Sequence, residues 1–446
     1  MKTKLLIALL VLSAATFAGC KEKDKDIIIP PPITDPTGGF ADTGTILDTV
    51  YVSTTGSPSG DGTPGNPYDT LDAALAVAQP GDMILLAAGT YAGGAFQANL
   101  KGTYANPILI AGDAAGTTIS GGTNAFQLSD PEYVVIKDLE ITGQTGNGIN
   151  IDDGGIGSFG TPAHHIVIRN VNVHNVGGGG NQDGIKLSGL DYFLIETSEI
   201  SYCGGAMSGS GIDMVGCHHG VIRANYLHHG SGNSIQGKGG TEDILIWQNF
   251  FFDGGERALN LGGSTDPAYF RPQGANYEAR NLRALVNIFV SCNAPISYVG
   301  CDGALAANNT IYLPQTWVAR ILQESVTGFI PCRNGRFINN IVVFNQTDLS
   351  TYVNVGPDTA PDTFTFANNL WHCLDNGGFT GPSLPVAETG GIYQQDPLFT
   401  NPGSNDFHLD PASPAKGMGQ KLWEVPADYD GQLYDWPPTL GVYEIP

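Results

Sequence analysis

One phrase recurs along this chain and restricts the fold more than any other feature. A short run rich in β-branched and aromatic residues meets an asparagine or glycine turn, and a second such run follows. Examples are Tyr133 to Ile141, Ile166 to Val173, Gly220 to Leu227 and Ile244 to Phe251. Asn287, Asn309, Asn340 and Asn369 hold the same turn in later copies. Successive turns lie roughly 22 to 38 residues apart, the range of solenoid coils with loops of unequal length. A unit this small cannot bury its apolar face alone, so the copies must stack. Asparagines stacked along the axis can satisfy buried turn groups, which makes them structural. The 61 glycines serve the many tight turns.

A stack exposes its ends, and those ends need covers. Near the start, Val50-Tyr51-Val52-Ser53 reads as a strand. Asp69 to Ala78 then has helical apolar spacing, with Thr70 as N-cap and Pro80-Gly81 as stop. Met83 to Ala87 is a second strand, followed by Gly89-Thr90-Tyr91. This run resembles the N-terminal cap of right-handed parallel β-helix proteins of the pectate-lyase superfamily. The resemblance implies an all-β fold, a single-stranded right-handed parallel β-helix. Its expected extent is residues 46–400, cap included. Asp406 to Leu409, Ser413-Pro414-Ala415, Asp430-Gly431 and Gly441 to Glu444 resemble the closing segment of such proteins, so residues 401–446 are expected to be a C-terminal cap. Asp428, Asp430 and Asp435 within it could bind calcium but read first as a solvated loop.

The first residues read as targeting, not fold. Lys2 and Lys4 precede an apolar run from Leu5 to Leu12, and Phe17-Ala18-Gly19 leads into Cys20. This resembles a bacterial lipoprotein signal: residues 1–19 removed, lipid on the Cys20 thiol, residues 20–45 a tether stiffened by Pro30-Pro31-Pro32. The expected location is the cell envelope, anchored by lipid to the outer membrane, with the face left open. An ordinary secretory signal is the alternative. The apolar run is too short to span a bilayer as a helix.

The formal charge is −23, from 20 basic and 43 acidic residues. That excludes nucleic acid as a partner, because such affinity rests on Lys and Arg against phosphates. An acidic polysaccharide would need a locally positive cleft or a metal. A monomer is expected. Six cysteines other than Cys20 fit no common zinc spacing. Cys301 and Cys332 occupy the same place in adjacent coils, so either a disulfide or two stacked thiols is open. Cys203, Cys217, Cys292 and Cys373 read as small core or turn residues.

Side chains alternate in and out along each strand. Aligning the coils on Ile149, Ile185, Ile212, Ile235, Leu259 and Ile296 as inward residues puts Asn150, Lys186, Asp213, Gln236, Asn260 and Ser297 outward, with Arg320 further along. Two residues on, the outward series is Asp152, Ser188, Val215, Lys238, Gly262 and Val299. Several basic residues therefore share one sheet in a chain poor in them. Arg257 lies just before the following strand. A long insertion from Thr265 to Arg280 reads as a groove wall or a packed loop, and Arg271 within it can pair with a carboxylate.

Such a face can run β-elimination on a uronate polymer. The carboxylate must be neutralised, a base must take the proton α to it, and an acid must protonate the leaving oxygen. Lys238 is the candidate base, with Arg257 and Lys186 as the cations beside it. Arg320 and Arg271 are candidate carboxylate clamps, and Asp213, Gln236 and Asn260 further substrate contacts. Asp183 and Asp213 could hold calcium. Ile235-Gln236-Gly237-Lys238-Gly239, with a β-run and Asn249 after it, is similar to the catalytic-lysine coil of alginate and chondroitin B lyases, the family 6 polysaccharide lyases. That resemblance implies proton abstraction by Lys238. The chain departs from it in two places. Ser231 and Asn233 stand where acidic calcium ligands precede the lysine, and Leu261-Gly262-Gly263 stands where the family has Arg-His-Gly. Asn181-Gln182-Asp183-Gly184 resembles the first motif of polygalacturonase-type hydrolases, but the paired aspartates that should follow reduce to Asp213. His218, His219, His228 and His229 read as solvated or structural. A non-catalytic carbohydrate-binding or adhesion solenoid is the alternative to the lyase, and a hydrolase ranks third.

Overall fold

The computed structural model describes residues 35–155, 162–205 and 208–446. The signal, Cys20 and the tether up to residue 34 lie outside them. The described chain is a parallel β-helix. One face is a ten-stranded sheet running from Ala95–Ala98 to Val353–Val355. All its pairings are parallel, and the inward positions Ile149, Ile185, Ile212, Ile235, Leu259 and Ile296 align coil on coil. Each of these is at most 1% exposed, so one column of aliphatics forms the core behind this sheet. A second column, Leu227, Phe251, Phe289, Ile311, Val342 and Trp371, comes from the opposite wall. Phe251 and Phe289 stack within it at 4.8 Å.

The asparagine turns are a buried ladder. Asn225, Asn249, Asn287, Asn309, Asn340 and Asn369 each donate a side-chain N–H to the next side chain's oxygen, at 2.9–3.1 Å between asparagines. Glu388 accepts the last of these bonds at 2.6 Å. Each asparagine is preceded by a residue at positive φ, as at Ala224, Gln248, Val286 and Asn308. That left-handed residue turns the corner and leaves the next backbone N–H facing inward, where the neighbouring coil's asparagine accepts it. Earlier coils lack the ladder. There Glu132–Thr142 and Ala163–His174 run through the same corner as single long strands, bent at Asp138 and Asn170.

The ends differ from the sequence expectation in instructive ways. The capping helix is Leu71–Leu75, shorter than the apolar spacing indicated. Thr70 caps it, accepting from Ala73 N at 3.4 Å, and Leu71, Ala74 and Leu75 are buried. Residues 35–45, read as tether, are packed. Phe40 is fully buried edge-on to Tyr133, and Asp42 pairs with Arg169 at 2.7 Å. Residues 401–446 do not close the end of the stack. They run along its flank, where Asn308 donates to Thr439 O and Gly441 O, and Gln248 donates to Asp428 O. Phe407, Leu422, Val425, Tyr434 and Val442 cover outward apolar residues such as Leu285, Ile288, Leu305 and Ile338. The end itself is covered by Phe379, Leu384, Val386 and Tyr393 against the last coils. Asp428 is buried, not solvated, and accepts from Asp430 N, Gln432 N and Glu444 N.

The Cys301 and Cys332 thiols are unbonded, buried and 3.7 Å apart. Cys203, Cys217 and Cys292 are buried core thiols, and burial pushes each up to about 12. Such thiols are unreactive.

Candidate functional site

The outward column falls in register as the alternation requires: Asn150, Lys186, Asp213, Gln236, Asn260, Ser297, Arg320 and Asn354. Beside it run Asp152, Ser188, Val215 and Lys238. The insertion after Gly263 stands over this face. Together they enclose a cleft of about 800 Å³ lined by Asp152, Lys186, Lys238, Tyr269, Phe270 and Arg271, among others. A smaller recess of about 580 Å³ adjoins it, lined by Gln236, Lys238, Arg257, Asn260 and Glu324. Lys238 lines both.

Charges in the cleft are not free. Lys186 Nζ pairs with Asp213 Oδ2 and lies 3.5 Å from Asp183 Oδ2. Both carboxylates are buried, at 2% exposure for Asp183 and 0% for Asp213. Burial, then the charge of Asp213, push the Asp183 carboxyl well above its usual range against the pull of Lys186. Burial opposes the Lys186 charge, yet Asp213 and Asp183 outweigh it and hold its pKa above the ordinary value. Lys238 Nζ donates to Gln236 Oε1 at 3.1 Å and lies 3.6 Å from Asp213 Oδ1, an oxygen with no hydrogen-bond partner. Lys186 thus meets Lys238 only through the carboxylate between them. Asp183 Oδ1 accepts from Ser210 N at 2.7 Å.

The two carboxylates expected to hold calcium share the ammonium of Lys186. Among the described residues no group of three or more His, Cys, Asp or Glu converges on a metal position. Calcium takes six to eight oxygen ligands, and this donor set, already neutralised by a lysine, does not fit that need.

Arg271, expected as a substrate clamp, is engaged by the protein. Its guanidinium pairs with Asp191, donates to Gly189 O at 3.2 Å and to His218 Nδ1 at 2.6 Å. His218 then donates through Nε2 to Gly240 O at 3.1 Å. Burial pulls the Asp191 carboxyl up, but His218 and Arg271 outweigh it and hold it lower than usual. The insertion is therefore pinned to the solenoid at this point. Glu278, fully buried and missed by sequence reasoning, pins its other end. It accepts from Gly239 N at 2.9 Å, Thr265 N at 3.0 Å and Ser325 Oγ at 2.5 Å. A lone glutamate in a polar loop carries no sequence signal for burial.

Arg257 shares the recess with Lys238 and donates to Glu324 Oε1 at 2.7 Å. Arg320 stacks on Trp317 with its guanidinium carbon 4.2 Å from the ring centre, and donates to Asn354 Oδ1 at 3.3 Å. Burial and the nearby Arg257 hold the Arg320 pKa below the ordinary guanidinium value. Asn260 Oδ1 and Ser297 Oγ are buried between these arginines and lack hydrogen-bond partners.

The Gly262-Gly263 pair is explained by close approach. A Cβ on Gly262 would lie 1.7 Å from Val299 O, and one on Gly263 2.5 Å from Gln236 Nε2 and 3.3 Å from Lys238 Cδ. The Lys238 stem passes through the space a side chain at Gly263 would fill.

No protein-family profile matches the chain, and no curated protein does. Solved structures do. The chain is similar to the pectate lyase Pel9A, with a TM-score of 0.58 and 17% identity over 93% of this chain and all of that one. It is similar to a rhamnogalacturonan lyase at TM-score 0.50 and 12% identity, over 87% of this chain and 95% of that one. XylC, solved in complex with xylose, matches at TM-score 0.50 and 10% identity, over 89% of this chain and 98% of that one. At these identities the likeness establishes the right-handed parallel β-helix fold of the pectate-lyase-like solenoids.

Proposed function

We propose that this chain is an exported, lipid-anchored protein of the bacterial envelope that binds an acidic polysaccharide along the ten-stranded sheet and cleaves it by β-elimination. One observation carries the reading: Lys238 stands where the walled cleft meets the recess holding Arg257, with Arg320 further along the same sheet. In this reading the uronate carboxylate lies toward the arginines, Lys238 Nζ takes the proton α to it as the C–O bond to the leaving sugar breaks, and solvent water protonates the departing oxygen. Gln236 orients the amine through its hydrogen bond. Lys186 serves as counter-cation to Asp183 and Asp213, and no step uses calcium. Pel9A and the rhamnogalacturonan lyase are named as lyases on the same fold, which supports the reaction class by analogy alone.

A second reading, binding without cleavage, is favoured by the nearness of Asp213 Oδ1 to Lys238, since a carboxylate stabilises the ammonium form. Mass spectrometry of a polyuronate digest separates the readings. Elimination gives fragments whose masses sum to that of the parent, hydrolysis adds one water per cut, and an adhesin gives no fragments. Elimination products that persist in a chelator are the expected result. Water-added products, or none, would reject the lyase.

A further inference from the structure

Arg257 and Arg320 are neighbouring guanidiniums with two carboxylates near them, Glu256 and Glu324, of which Glu324 bonds Arg257. Glu324 is exposed, whereas Arg257 is largely covered, with 18% of its side chain accessible. Among the described residues Glu324 makes one ion pair, to Arg257, and Arg320 makes none. Arg320 is half-buried and feels Arg257 as a like charge. A guanidinium pair in which Arg320 has no ion pair and Arg257 has only an exposed partner can receive the carboxylate of a ligand.

We propose that Glu324 is a built-in stand-in for the substrate carboxylate: it holds Arg257 in the empty groove and is displaced when a carboxylated sugar binds across Arg257 and Arg320. The idea rests on the acidic-polysaccharide reading and adds a recognition device to it. The exchange of one carboxylate for another is close to balanced, because the pair is partly exposed and weak on its own. Trp317, already beneath the Arg320 guanidinium, keeps that group in place without a carboxylate. The loop that carries Glu324 is held by its neighbours and not by Glu324 itself. Gln323 accepts from Cys332 N at 2.6 Å, and Ser325 donates to Glu278 at 2.5 Å. Substituting Glu324 therefore frees the arginine without unfastening the loop.

The test is calorimetric titration of the intact protein with a saturated oligouronate panel and with matched neutral oligosaccharides. Glu324→Gln is expected to bind the oligouronate roughly two- to fivefold more tightly, the worth of one partly exposed ion pair. Arg320→Gln is expected to weaken it, and neutral sugars are expected to be indifferent to both changes. Equal or weaker oligouronate binding by Glu324→Gln, while the unsubstituted protein binds, would overturn the stand-in and leave the substrate class intact. No oligouronate binding by either folded protein would overturn both. Circular dichroism of each variant confirms that the solenoid persists.

Discussion

At the residue scale, the site is decided by which cations are free. Lys186 looked like a substrate contact because it points outward from the sheet. The structure ties it to two buried carboxylates, so its first role is to neutralise them. Breaking a buried pair by removing one partner leaves an uncompensated charge. Lys186→Met is therefore expected to destabilise the fold by about 3–5 kcal/mol, measured by urea denaturation. A change below 1 kcal/mol would mark the pair as solvated and return Lys186 to the substrate. The alternation of the strands gave the outward column correctly, Lys186, Asp213, Gln236 and Asn260 included, because period two is a local property. It could not show that Asp213 sits between two lysines or that Arg271 is consumed by Asp191 and His218. Those contacts join residues up to 80 positions apart along the chain, and they depend on where a loop lands.

At the element scale, the coil turns were legible and the termini were not. The asparagines could be read because a corner repeated in every coil repeats its residue. Each rung has several bonds: Asn287 accepts from Asn249 N at 3.0 Å and donates to Ile246 O at 2.9 Å and Asn309 Oδ1 at 3.1 Å. Asn287→Ala leaves these groups buried and unsatisfied, at about 1–3 kcal/mol each when no water replaces the partner. A loss of at least about 2 kcal/mol is expected in the same denaturation assay. A loss below about 0.5 kcal/mol would mean the ladder is ornamental. The C-terminal segment misled because end cap and flank cover share one composition. Both are loops with scattered large apolar residues, and only the positions of Leu285, Ile288 and Leu305 on the outside of the sheet reveal which surface needed covering.

At the scale of the whole molecule, a rigid stack of coils carries a long polar sheet, and an insertion pinned by Arg271 and Glu278 turns part of it into a cleft. In the proposed function the sheet is the platform for an extended polymer, and the pinned wall sets where along it the cut would fall. The central claim is that Lys238 removes a proton there. The most direct measurement is the ultraviolet absorbance of unsaturated sugar released from a polyuronate panel by the unsubstituted protein and by Lys238→Ala. Release by the former, with a loss of about 10²- to 10⁴-fold in rate in the variant at unchanged stability, is the predicted result. Release at the same rate by Lys238→Ala would contradict the account.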